Sequence, residues 1–270
     1  MTDQRSTISA TSTGWVDLVL PPTCVLCSRQ TLGGGDFCQD CLTRLAVSRP
    51  KMRLGCRWCG VPGGASAAKT GRCTACGGDA SGPGKGWRID RTHALWSYEE
   101  AVRGMVVASK YGRHAAIAVA AAGHLASEIL RDHRGDMDPL PDVVTYVPSY
   151  WTRRLSRGGC SAETLAVTVA NKLDRPFVSI LRARRPIAKQ AWLGDRQRIS
   201  NVRDAFVVKK SYLPTDRFGR APSGRIKGGH VMIVDDVMTS GATTNEVARV
   251  LKLAGADRVS VGVIARAIRQ

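Results

Sequence analysis

Apolar residues fall in blocks along this chain, and the blocks alternate between two periods. Residues 231–234 (VMIV) run without a polar break. Residues 142–148 (DVVTYVP) and 258–265 (RVSVGVIA) are similarly apolar. Each suits a strand buried on both faces of a parallel sheet. A further strand, carrying aromatics, is predicted from Arg91 through THALWSYEE, and a short one over 205–208 (AFVV). Between these blocks the spacing is helical. Residues 99–110 place Val102, Met105, Val106 and Ser109 on one face, and residues 244–254 do the same with Val247, Val250, Leu251 and Ala254. Gly255 follows where that helix should stop. A helix from 115 to about 132 is nearly all alanine and apolar and should be largely buried, and another is predicted over 161–173. Strands alternating with helices predict an α/β fold with a parallel sheet.

The first third of the chain lacks this pattern and carries cysteines instead. Eight of nine form four CxxC pairs: Cys24/Cys27, Cys38/Cys41, Cys56/Cys59 and Cys73/Cys76. Residues 15–20 are apolar but short and are interrupted by Asp17, so they do not make a signal peptide, and no apolar run approaches membrane length. A cytoplasmic location without membrane insertion is therefore expected, where thiols stay reduced. Consecutive CxxC pairs then point to structural zinc, with no open position for a substrate because four thiolates close the shell. Two such sites are expected. Sequential pairing would give two separate knuckles and alternate pairing a cross-braced module. The implied organisation is a disordered tail over 1–21, a zinc module over 22–88 and an α/β domain over 89–270.

The chemistry concentrates after the 231–234 strand. Asp235 and Asp236 sit where that strand should end, followed by Met238, Thr239, Ser240, Gly241, Ala242 and Thr243. Gly241 permits a tight turn and close approach of a ligand. Backbone N–H groups at the start of the next helix favour a phosphate, and the hydroxyls add donors. Paired carboxylates suit the hydroxyls of a ribose or a hydrated Mg²⁺. The stretch can thus hold a sugar between its hydroxyls and its 5′-phosphate. No Walker A pattern is present, which argues against a P-loop ATPase.

VMIVDDVMTSGATT resembles the phosphoribosyl pyrophosphate (PRPP) signature of type I phosphoribosyltransferases. The four CxxC pairs ahead of it, with Gln190 and Asn201 in between, narrow the resemblance to the ComF family, over about residues 22–267. It implies a type I phosphoribosyltransferase fold with a small N-terminal zinc module, binding PRPP together with Mg²⁺. The loop running through Ser149, Tyr150, Arg154, Arg157 and Gly158 resembles a pyrophosphate loop. The family usually continues with Phe-Asn-Gln, where this chain has Gly159, Cys160 and Ser161. Cys160, the unpaired cysteine, reads as a small buried residue rather than a nucleophile. The stretch from Arg182 through Gln190 to Asn201 resembles the loop that closes over PRPP. The resemblance thus implies Asp235, Asp236, Lys189 and Arg198 as catalytic candidates.

Charge adds a second reading. The chain carries a net charge of +18, and residues 151–229 hold 18 Lys and Arg against 5 Asp and Glu, a net of +13. The first hypothesis is a PRPP-dependent transferase, acceptor undetermined, linked to DNA uptake or to nucleotide metabolism. The second is a non-catalytic adaptor that keeps the fold and binds single-stranded DNA beside the DNA-uptake machinery, through the zinc knuckles and the basic stretch, with Tyr150, Trp151 and Trp192 near basic residues. Residues 209–229 carry no functional reading, and His114, His124 and His133 read as surface or internally satisfied histidines.

Overall fold

The computed structural model describes residues 21–31, 35–47, 52, 55–62, 73–79, 81–136, 138–149, 161–186, 200–209 and 226–267. In chain order these hold α1 (Gln39–Ala46), β1 (Arg91–Ser97), α2 (Glu100–Ser109), a 3₁₀ turn (Gly112–His114), α3 (Ala115–Asp136) and β2 (Val143–Tyr146). They continue with α4 (Ser161–Lys172), β3 (Leu181–Ala183), β4 (Phe206–Val208), β5 (His230–Met238), α5 (Ala242–Leu253) and β6 (Arg258–Arg266). Four strands form one parallel sheet in the order β1-β6-β5-β2, so all their carboxyl ends lie along one edge. β3 and β4 form a separate antiparallel pair.

Strand alternation divides the interior into two cores. Met232 and Val234 of β5 join Val144 and Tyr146 of β2 and Ile264 of β6 under α2, α3 and α4. Val231 and Ile233 face the other way, with Val259, Val261 and Val263, under α5 and the β3–β4 pair. Helices on both faces explain why the strand sequences are apolar throughout rather than alternating. Small side chains line the helical layer: Ala118, Ala121, Ala122 and Ala126 of α3, with Ala162, Ala166 and Ala170 of α4, are buried in the first core.

The elements match the sequence pattern closely, with two corrections. β5 does not stop at Val234; pairing with β6 carries it to Met238, so Asp235 and Asp236 lie within the strand rather than beyond its end. Arg182 and Ala183 belong to β3, not to a loop. Ahead of β2, Asp138 is buried and forms ion pairs with Arg258 and Arg91 at the amino edge of the sheet.

The cysteines settle into two sequential groups, Cys24/Cys27/Cys38/Cys41 and Cys56/Cys59/Cys73/Cys76, with the sulfurs of each group within 4.8 Å of one another. The cross-braced alternative is therefore not the one adopted. Three knuckles share one hairpin. Cys24, Cys56 and Cys73 each accept an amide from the residue four positions on, at 2.8, 2.7 and 2.8 Å. That residue has positive φ in each: Ser28 at 60°, Gly60 at 68° and Gly77 at 70°. Four soft thiols converging at this spacing fit a tetrahedral Zn²⁺. The first group enters the helical core: Cys24, Phe37, Cys41 and Leu45 pack with Trp96 and Val102, and the Phe37 ring lies 5.5 Å from that of His124. The second docks on β1, where Thr92 N–H donates to Arg57 O at 2.7 Å.

Two outcomes are expected. Ala166→Leu should overpack the α3–α4 layer and lower stability by about 1–3 kcal/mol, read from the midpoint of urea unfolding. Elemental analysis should find two zinc ions per chain, and chelation should unfold the ribbons first, because structural zinc supplies folding free energy. A folded chain without zinc would refute the second expectation.

Candidate functional site

The site grows from the carboxyl end of β5. β2 pairs with β5 only as far as Val234, and Val147 N–H still reaches Val234 O at 3.2 Å. Beyond it the register of β5 continues with β6, through Asp235↔Val263 to Met238↔Arg266. The last residues of β5 thus project past β2, leaving a crevice where ligands bind in open α/β sheets.

Asp235 and Asp236 are neighbours on an extended strand, so their side chains leave on opposite faces. Asp236 faces the helical layer and its Oδ2 lies 3.1 Å from Nζ of Lys110, just past the end of α2. Asp235 falls on the α5 side. Each carboxylate accepts the amide of the residue after it, at 2.9 Å for Asp235 and 2.7 Å for Asp236. Burial, and then the charge of Asp236, hold the Asp235 carboxyl well above the usual carboxylate range. Two adjacent carboxylates, only one of them paired with a lysine, would be relieved by a cation or by hydroxyl donors. Their oxygens are the hard donor set that suits Mg²⁺.

After β5 the chain turns through Thr239, Ser240 and Gly241 into α5. Gly241 sits at φ 78°, in the left-handed region. A Cβ there would lie 2.5 Å from the Trp87 ring and 2.7 Å from the Met238 methyl, so both conformation and space require glycine. Ser240 Oγ accepts the Ala242 amide at 3.3 Å, and Thr244 Oγ1 donates to Gly241 O at 3.0 Å. Gly241 at the N-cap brings no capping side chain of its own, and a helix start of this kind favours an anion.

The second ribbon closes over this loop from outside the sheet. Trp87 lies on Gly241 and donates its indole N–H to Trp58 O at 3.0 Å. Asn245 on α5 accepts Arg88 N–H at 2.6 Å and donates to Gly86 O at 3.0 Å. Arg266 at the end of β6 donates Nε to Cys59 O at 2.7 Å, and Nη1 to Met238 O at 2.9 Å and to Thr239 O. A cleft of about 1040 Å³ opens between ribbon and loop, lined by Lys85, Trp87, Arg203, Thr239, Ser240 and Ala242, among others. Neither Asp235 nor Asp236 lines it, so the cleft lies beside the crevice and shares only the loop with it.

Of the residues expected from sequence, Asp235, Asp236, Thr239, Ser240, Gly241, Ala242 and Thr243 come together here, with Ser149 following the end of β2. Tyr150, Arg154, Arg157, Gly158, Lys189 and Arg198 lie outside the described residues, as do Cys160, Trp151 and Trp192. Sequence reasoning missed Lys110, Trp87, Asn245 and Arg266. For Arg266 a signal existed: an arginine closing an apolar strand is rarely buried without a partner. The other three depend on residues far away in the chain.

Two family models match: a double zinc ribbon domain over residues 15–79 and a phosphoribosyl transferase domain over residues 161–270. Residues 161–270 cover β5, its loop, α5 and β6, and with the parallel sheet they give the type I phosphoribosyltransferase fold. The chain is 30% identical over 253 residues to "DNA utilization protein YhgH" of Salmonella typhi, covering 93% of this chain and 100% of that one. It is 30% identical over 131 residues to "Competence protein F" of Haemophilus influenzae, covering 47% of this chain and 52% of that one. Among solved structures, the allosteric regulatory enzyme of purine biosynthesis is matched at a TM-score of 0.33 and 22% identity, over 54% of this chain and 25% of that one. The chain therefore spans about a quarter of that enzyme's length but the whole of the Salmonella relative, and with the zinc ribbon and transferase domain in the same order as its sequence motifs, it belongs to the ComF family.

Proposed function

We propose that this chain binds PRPP with Mg²⁺ at the carboxyl edge of the sheet. The observation that carries the reading is the joint placement of Asp235 and Asp236 on β5 with a glycine-started α5 directly after it. The loop 239–243 holds the 5′-phosphate through its amides and hydroxyls, and the two carboxylates hold the ribose hydroxyls. Lys110, with Nζ 3.1 Å from Asp236 Oδ2, holds that carboxylate in place at the end of the strand. Mg²⁺, when bound, neutralises charge developing on the departing pyrophosphate. Transfer would break the C1–O bond of the sugar, leaving a cation-like ring that adjacent carboxylates stabilise. Lys189, Arg198 and the arginines of the 149–158 loop are the groups we assign to the pyrophosphate.

PRPP with Mg²⁺ should raise the thermal midpoint, by about 2.7 kcal/mol of added stability at a hundredfold excess over Kd. Asp235→Asn with Asp236→Asn should abolish the shift while leaving the ligand-free midpoint within a few degrees, since each amide retains an acceptor for the next N–H. A double variant that binds PRPP as well as the parent in a calorimetric titration would sink the assignment.

A second reading, contact with single-stranded DNA, is favoured by the names of the two relatives and by the net charge of +13 over residues 151–229. Arg182 and Arg184 are exposed on and beside β3. Affinity should then fall steeply with salt, with a log–log slope of about −0.7 per phosphate neutralised. Arg182→Ala with Arg184→Ala should make the slope shallower by about one unit. The readout is fluorescence anisotropy of a labelled oligonucleotide, with and without PRPP; a salt-independent signal would remove DNA from this surface.

A further inference from the structure

Arg266 is 2% exposed, among the most buried large side chains of the chain. Burying a guanidinium is costly unless it is hydrogen-bonded and its charge balanced. The bonds of its Nε and Nη1 go to carbonyls: Cys59 O at 2.7 Å, Met238 O at 2.9 Å, Ala267 O at 2.8 Å, and Thr239 O. Carbonyls satisfy the donors without neutralising the charge. Among the described residues no carboxylate forms an ion pair with Arg266. The Nε bond to Cys59 O sets the guanidinium against the knuckle whose Cys59 thiol converges with those of Cys56, Cys73 and Cys76. Four thiolates around one Zn²⁺ would carry a net charge of about −2, a counter-charge suited to this arginine.

We propose that Arg266 is a positioning residue that makes the 239–243 loop depend on the second zinc site. The zinc–thiolate group balances the buried guanidinium, and the guanidinium fixes the carbonyls of Met238 and Thr239, where the loop begins. A second strut runs in parallel. Trp58, between the two cysteines of one knuckle, presents its carbonyl to Trp87 Nε1 at 3.0 Å and to Thr92 Oγ1 at 2.7 Å. Trp87 in turn covers Gly241. Losing the second metal would release both struts at once, freeing the turn that orients the first amides of α5. The first ribbon supplies a control within the same chain, because it packs against α2 and α3 in the helical core rather than against the loop. The inference rests on reading 239–243 as the phosphate loop, but its structural half can be measured without a ligand.

The experiment is hydrogen exchange by mass spectrometry on the full zinc-loaded chain and three variants. Arg266→Met removes the charge, Cys73→Ser with Cys76→Ser removes the second metal, and Cys24→Ser with Cys27→Ser removes the first. Exchange at residues 238–245 should rise tenfold or more in the first two variants and stay unchanged in the third, while residues 231–234 remain protected in all. Unchanged exchange at 238–245 in the Cys73/Cys76 variant, or an equal rise in the Cys24/Cys27 variant, overturns the proposal. Should Arg266→Met expose 231–234 as well, the Cys73/Cys76 variant decides alone, since its substitutions lie outside the sheet. A rise spread over the whole sheet in that variant also overturns the proposal, because the dependence would then be one of overall stability. PRPP titration with Mg²⁺ on the same proteins separates the two readings. Binding by the parent chain with a tenfold or greater loss in the first two variants supports the coupling. No binding by the parent removes the phosphate reading and leaves the exchange pattern to decide the coupling.

Discussion

The parallel pairing of β5 with β6 is the contact on which the other features depend. It is continuous from His230↔Arg258 to Met238↔Arg266, whereas β5 meets β2 only through Val234. A strand held on one side and released on the other keeps its backbone ordered while opening an edge to ligand. That is how two carboxylates can sit on a rigid strand and still reach a crevice. The loop after Met238 and the first turn of α5 inherit their position from the same pairing, as does Arg266, the register partner of Met238.

Crowding around Gly241 follows from the same geometry. Trp87 and Met238 close on it from two sides, leaving no room for a Cβ. The turn is therefore fixed by packing as well as by hydrogen bonds, and a preorganised turn loses less entropy when an anion binds. The rigid support comes from outside the α/β domain, since Trp87 lies in the connection and is held by the second ribbon.

The two ribbons serve different neighbours despite similar knuckles. Each is too small to bury a core of its own, which is why metal is needed. The first compensates by lending Phe37, Cys41 and Leu45 to the helical core beside Trp96. The second offers carbonyls, from Arg57, Trp58 and Cys59, to Thr92, Trp87 and Arg266. One is joined by hydrophobic burial and the other by directional hydrogen bonds to the site.

Local pattern sufficed for most elements because their signals are local. Apolar runs marked β2, β5 and β6, helical spacing marked α2 to α5, and CxxC pairs marked the ribbons, since two thiols of one hairpin are neighbours in the chain. The Asp235–Thr243 site was legible for the same reason: a strand, a turn and a helix start lie within a dozen residues. What tertiary structure decided involves partners far apart in sequence. Sequential rather than alternate grouping of the cysteines, the extension of β5 past Val234, the pairing of Lys110 with Asp236, and the burial of Arg266 beneath Cys59 each require two segments to meet. Register and burial are set by the neighbouring strand and the docked ribbon, so no periodicity within one segment could specify them.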